Sequence, residues 1–182
     1  MGVAHFSGGC CASGGLGGLC LHPLAGLGVT LRPVITLQRS ILLTVSAEQA
    51  YATVADVESY PDFLPGCQAV EVLGVQGRAE QGQPSTRTVR VAVAAKGMRH
   101  DFITVNQYQP FEQISMTLDE GPVESLSGRW SFVPIGDEGC RVSLDLCLEA
   151  KGLVGRTLGT VADSVADKMV DAFVKRIGER AS

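Results

Sequence analysis

The chain has 182 residues, 45% of them apolar and 19% charged, which is the balance of a globular protein with room for one ordinary domain and something extra. Its formal charge of −4 removes the basic excess on which general nucleic-acid binding usually rests. No run of about 18 consecutive apolar residues is present to span a membrane.

Residues 1–33 differ in kind from the rest. They hold no acid, one base (Arg32) and a glycine-dense stretch without helical or strand periodicity. A secretory signal needs basic residues ahead of a continuous apolar core, and a mitochondrial presequence is Arg-rich and amphipathic; neither pattern is present. LGGLC around Cys20 imitates a lipoprotein box, but Leu19 stands where a small residue is needed. Cys10, Cys11 and Cys20 lie here with His5 and His22, at spacings that match no paired-cysteine metal motif, so no metal site is predicted. The expectation is a disordered or non-native leader followed by a domain over 34–182. A chain begun at Val34 should then melt at an unchanged temperature, since such a segment buries little and loses much entropy on ordering. Cys67, Cys140 and Cys147 read as small core or surface residues of a reducing compartment.

From Val34 the pattern is orderly. VITLQRSILLTV (34–45) is rich in β-branched residues and predicts a strand. Ser46 followed by Gln49 is a capping box, opening a helix that buries Ala50, Val54 and Val57. DVESYPDFLPGC (56–67) comes next. Two prolines so close exclude a long helix, while Phe63 and Leu64 are too apolar for a solvated loop. A short kinked element with a covered apolar side is predicted, with Ser59 as its cap.

Six strands follow. AVEVLGVQ (69–76) and TRTVRVAVAAKG, with Val89, Val91, Val93 and Ala95 on one face, lead to a hairpin turn at Lys96-Gly97-Met98. RHDFITVNQYQ ends at Pro110. Ile114, Met116 and Leu118 share a face, as do Leu126, Gly128, Trp130 and Phe132, and then Val142, Leu144, Leu146 and Leu148. The tail predicts a helix over roughly 153–178, with an apolar stripe through Val154, Leu158, Val161, Val165, Met169 and Phe173. Consecutive hairpins make an antiparallel sheet with one apolar face, and that helix is the element long enough to cover it. The fold class is α+β: a curved antiparallel sheet wrapped around a long C-terminal helix, the helix-grip arrangement, with space left between sheet and helix.

SAEQAYATVADVESYPDFLPGC, the segment from Lys96 to Phe102, EGPVESLSGRWSFVP, GCRVSLDL and VADKMVDAFVKR together resemble the coenzyme Q-binding START-domain family, within the START-like polyketide cyclase superfamily. The likeness runs from Val34 to about Gly178. It implies a START-like fold and a role tied to ubiquinone and respiration. The same family includes bacterial ribosome-association toxins, so inhibition of ribosome association at the large subunit is the alternative it implies.

The residues themselves offer little for catalysis. His100 is the domain's histidine and reads as a solvated turn residue beside Arg99 and Asp101, no serine or cysteine has a visible base, and no glycine-rich phosphate loop opens a helix. A non-enzymatic protein is expected, with a cyclase-like enzyme as the third reading. No cofactor is expected beyond an isoprenoid quinone as bound ligand. Candidate cavity residues are Phe102, Met116, Leu118, Trp130 and Phe132 from the sheet and Val165, Met169 and Phe173 from the helix, all of which equally suit an ordinary core. Tyr60, Phe63 and Leu64 would form an apolar lip or, alternatively, plug the core's end. Gly128 would leave space beside Trp130, and Asn106, Tyr108 and Arg129 are candidate donors for quinone carbonyls. Arg87, Arg90, Lys96 and Arg99 would form a positive patch outside the cavity, facing ribosomal RNA or anionic lipid. These readings place the protein in the bacterial cytoplasm, with peripheral membrane contact at the inner face as one candidate setting.

Overall fold

The computed structural model describes residues 34–77, 83–95, 98–136, 138–149 and 152–181, the side chains of 95, 98 and 152–163 excepted. The leader, with its cysteines and histidines, lies outside the described residues, as does Lys96.

Helix α1 (Ala47–Ala55) starts where the capping box predicts. The Gln49 backbone donates to Ser46 Oγ at 3.2 Å, and the Ser46 backbone donates to Gln49 Oε1 at 3.2 Å. Ala50, Val54 and Val57 are no more than 4% exposed. The proline-flanked stretch then makes a 3₁₀ turn (Val57–Ser59) and a single helical turn, α2 (Tyr60–Phe63). Ser59 does not cap α2; its hydroxyl donates back to the Asp56 carbonyl at 2.9 Å. The exit needs Gly66, whose φ is +82° and where a Cβ would sit 3.0 Å from the Ala94 carbonyl oxygen.

The strands are β1 (Val34–Leu43), β2 (Cys67–Gly77), β3 (Ser85–Ala95), β4 (Met98–Gln109), β5 (Gln113–Glu120), β6 (Ser125–Ile135) and β7 (Gly139–Glu149). They form one seven-stranded antiparallel sheet in the order β1-β7-β6-β5-β4-β3-β2. The six later strands run as successive hairpins, and β1 closes onto β7. Register shifts at Cys67/Ala69, Val72/Gly74 and Ile103/Thr104 mark bulges, which bend a sheet.

Helix α3 (Gly152–Ala181) follows. Its buried line runs through Ala166, Phe173 and Ile177, each at most 3% exposed, with Val170 packed beside them. This corrects the predicted stripe, because Val165 is 51% exposed. Steps of four residues drift by about 40° each around a helix, so the line from 165 through 169 to 173 crosses the surface obliquely; alternating steps of four and three stay on one side. Val154, Leu158 and Val161 lie outside the described side chains. Arg39 Nε of β1 holds Asp167 of α3 at 2.7 Å, and Arg180 near the end of α3 holds Asp56 after α1 at 2.5 Å. Among the described residues no helix is long and apolar enough to cross a membrane.

Candidate ligand site

The register sets the side chains of the inner face in rows. Tyr108, Ile114, Trp130 and Leu144 face one another across β4, β5, β6 and β7. Asn106, Met116, Gly128 and Leu146 make the next row. Beyond it, Thr104 faces Leu118 and Leu126 faces Leu148, with Phe102 further along β4.

The first row belongs to a closed core. Phe173 of α3 meets the Trp130 ring at 4.9 Å, and Tyr51 of α1 meets Phe132 at 5.5 Å, both edge-on. A cavity of about 10 Å³ lined by Trp130, Val170, Phe173 and Ile177 lies between α3 and the sheet there, room for no more than one water. Tyr60 and Phe63 each meet Phe173 at 5.3 Å, Leu64 packs on the same cluster, and the Tyr60 hydroxyl donates to the Val54 carbonyl. Burial pushes the Tyr60 phenol well above its ordinary value, with the Tyr108, Asp56 and Cys67 side chains adding to the effect. The unusual DVESYPDFLPGC stretch therefore packs Tyr60, Phe63 and Leu64 against the core.

The candidate residues divide accordingly. Trp130, Phe132 and Phe173 are buried in the core, and Tyr60, Phe63 and Leu64 pack against it. Phe102, Met116 and Leu118 are half-buried on the inner face of the sheet, together with Leu126, Leu146 and Leu148, and Met169 is half-buried on α3. Val165 faces water. Gly128 does not leave space: a Cβ there would lie 3.0 Å from Met116 Cγ and 3.1 Å from Leu146 Cδ1, so the glycine is what lets Met116 lie across β6. His100 lies within β4, half-buried, and is not a turn residue.

Of the candidate donors, Arg129 is exposed, whereas Asn106 and Tyr108 are 6% and 2% exposed on the inner face. Arg87 joins them. It faces Asn106 across the β3–β4 ladder, Ser85 faces Tyr108, and the Arg87 Cζ lies 4.9 Å over the Tyr108 ring. The predicted basic patch is thereby corrected. Arg87 shares parity with Val89, Val91 and Val93, and strict alternation carries it to the apolar face. On the outer face Arg90 pairs with Glu71 at 2.7 Å and Arg99 with Asp101 at 3.2 Å. Both pairs line an open groove of about 460 Å³ shared with Glu120, so the charge there is mixed.

Four polar atoms of the inner cluster are buried without a hydrogen-bond partner: Ser85 Oγ, Arg87 Nε, Asn106 Oδ1 and Tyr108 OH. Buried polar groups are normally satisfied by protein or by ordered water, and these four atoms form the polar end of an otherwise apolar inner face. Burial also raises the Tyr108 phenol's pKa, against the pull of Asn106 and Arg87 beside it. Tyr51 on α1 is raised likewise by burial and by Tyr108, with Arg87 opposing.

A bent antiparallel sheet gripping a C-terminal helix, with apolar side chains lining the inner face, is the START-like architecture. The chain belongs to the family described as polyketide cyclase / dehydrase and lipid transport, which matches residues 43–174. Among solved structures, it superposes on the Zhui aromatase/cyclase from a Streptomyces species with a TM-score of 0.70 at 19% identity, covering 82% of this chain and 96% of that one. A START superfamily protein from Mycobacterium smegmatis gives 0.66 at 25% identity, covering 79% and 97%. Among curated proteins, the ribosome association toxin RatA of Escherichia coli is 37% identical over 144 residues, 79% of this chain and 87% of the toxin. The mitochondrial coenzyme Q-binding protein COQ10 homolog B of Xenopus laevis is 28% identical over 79% of this chain and 58% of its own.

Proposed function

We propose that this chain is a non-enzymatic carrier of a hydrophobic ligand, an isoprenoid quinone such as ubiquinone, held on the inner face of the sheet beneath α3. One observation carries this reading. Half-buried apolar residues, Phe102, Met116, Leu118, Leu126 and Leu148, share the inner face of the sheet with a buried set of unpartnered polar atoms on β3 and β4. A chain-bearing ring compound needs that combination: apolar lining for its tail, at about 25 cal/mol per Å² buried, and a few fixed polar groups for its oxygens. The 28% identity to a coenzyme Q-binding protein supports the choice of ligand. The quinone is cargo, and the protein meets the inner face of the bacterial membrane peripherally to load and release it. No hydrogen-bonded nucleophile–base pair is found among the described side chains, which favours carriage over a cyclase-like reaction.

A second reading is carried by the 37% identity to a ribosome association toxin: contact with the large ribosomal subunit. Its surface is not a patch of four free cations, since Arg90 and Arg99 are paired and Arg87 is turned inward. Mass spectrometry of lipids extracted from the purified protein separates the two. The carrier reading expects a polyprenyl quinone in near-stoichiometric amount. A lipid-free extract from protein that sediments with large subunits in a salt-sensitive way would establish the second reading instead.

A further inference from the structure

Arg87 is what a neutral cargo leaves unexplained. Arg87 is half-buried with its Nε enclosed, and a guanidinium drawn partly out of water gains from an opposite charge beside it. No ion pair among the described residues includes Arg87, and its Nε is buried without a hydrogen bond. The Tyr108 ring beneath it, 4.9 Å from Cζ, compensates only in part. The hydroxyls of Tyr108 and Ser85 stand alongside, both buried and both without a partner. The Asn106 amide faces Arg87 across the ladder and offers an acceptor or two donors according to its rotation. A planar guanidinium with two free hydroxyl donors beside it is the complement of a carboxylate, which accepts two parallel bonds from the fork and keeps lone pairs for the hydroxyls.

We infer that Arg87, with Tyr108, Ser85 and Asn106, is the head-group subsite of the ligand site and selects single-chain amphiphiles with a carboxylate head over the same chain with a neutral head. This inference rests on the hydrophobic-ligand reading above. A quinone carbonyl accepts the same kind of bond, and a carboxylate adds the opposite charge, so of two heads on one chain the acid should bind the subsite more tightly. The tail leaves the subsite across Met116 and Leu118 toward Phe102, along the half-buried rows.

Isothermal titration of the full chain with oleate, oleyl alcohol and acetate tests it. Oleate should bind on the order of tenfold or more tighter than oleyl alcohol, the ratio a charge-assisted hydrogen-bond pair supports. Acetate should show no comparable binding, because the tail supplies much of the affinity. Arg87→Met should erase the preference, bringing oleate to about the affinity of oleyl alcohol, and Arg87→Lys should retain part of it. Selectivity is compared only between proteins of matching circular dichroism spectrum and melting temperature, so its loss cannot be laid to unfolding. Equal affinity for the two long-chain probes overturns the inference, as does an oleate preference that survives Arg87→Met or a match between acetate and oleate. If neither long-chain probe binds, the hydrophobic-ligand reading falls and takes this one with it. Alcohol binding without acid preference removes the subsite alone.

Discussion

Tyr108, Ile114, Trp130 and Leu144 stand in a row across four strands and are at most 4% exposed, while Leu118, Leu126 and Leu148, two rows along the same strands, are half-buried. Residue type does not separate these regions, because both are apolar and both obey the same alternation. The cover separates them. Over the first row lie α1, α2 and the C-terminal half of α3, with Tyr60, Phe63 and Trp130 each edge-on to Phe173 and a cavity of about 10 Å³ beside them. One end of the sheet is thus closed by the helices, and the proposed ligand is assigned to the other. Mutations should sort by which end they touch.

Trp130→Ala should have the largest effect. Its ring is buried against Phe173, so truncation removes a close-packed aromatic and should lower stability by about 3–5 kcal/mol, read from the urea midpoint. Any loss of lipid would follow the loss of fold. Leu118→Lys should invert that pattern. At a half-buried position the lysine stem covers apolar surface while its head reaches water, for a cost of about 1–2 kcal/mol. The ammonium would nevertheless lie where the ligand's tail runs, so co-purified lipid should disappear from protein with an unchanged circular dichroism spectrum. Lipid retained in the Leu118→Lys protein would mean that the rows beyond Met116 are not the site.

Much of this arrangement is legible in the sequence, and the failures have physical causes. A strand alternates with period two, so the inner-face sets from Ile114 to Leu118, Leu126 to Phe132 and Val142 to Leu148 could be read off directly. The same rule would have placed Arg87 inside, but grouping the basic residues by charge hid its parity. Helical phase is harder to fix, because a one-residue error turns the side chain by about 100°, and Val165 in place of Ala166 is that error. The kinked element after α1 was legible from Pro61 and Pro65, yet nothing local tells a lip from a plug. That depends on Phe173, more than a hundred residues away.

The covered end should also show in the pH dependence of stability, a smaller effect. Burial raises the phenols of Tyr60 and Tyr108 above the ordinary value of 10.0, so the folded protein holds their protons more tightly than the unfolded chain does. Stability from this source is complete below pH 10 and falls as pH rises beyond it. The thiols of Cys67 and Cys140, raised from 9.0 by burial, extend the fall to slightly lower pH. Urea midpoints at about pH 8 and pH 11 should therefore differ more in the wild type than in Tyr60→Phe or Tyr108→Phe. An equal drop in all three proteins would place the alkaline sensitivity elsewhere.

Val165→Glu should do least, and for that reason it sharpens the boundary between the two regions. The stripe expected from the sequence ran through Val165 and would make a carboxylate there fatal to binding. In the structure the side chain is 51% exposed and turned away from the line of Ala166, Val170, Phe173 and Ile177. Lys168, also exposed and three residues on, stands where an i, i+3 partner would. The change should move the urea midpoint by no more than about 0.5 kcal/mol and leave co-purified lipid at the wild-type level. Were the Val165→Glu protein folded but stripped of lipid, the binding region would have to reach around the flank of α3. The inner-face rows of the sheet would then be one wall of it and not the whole.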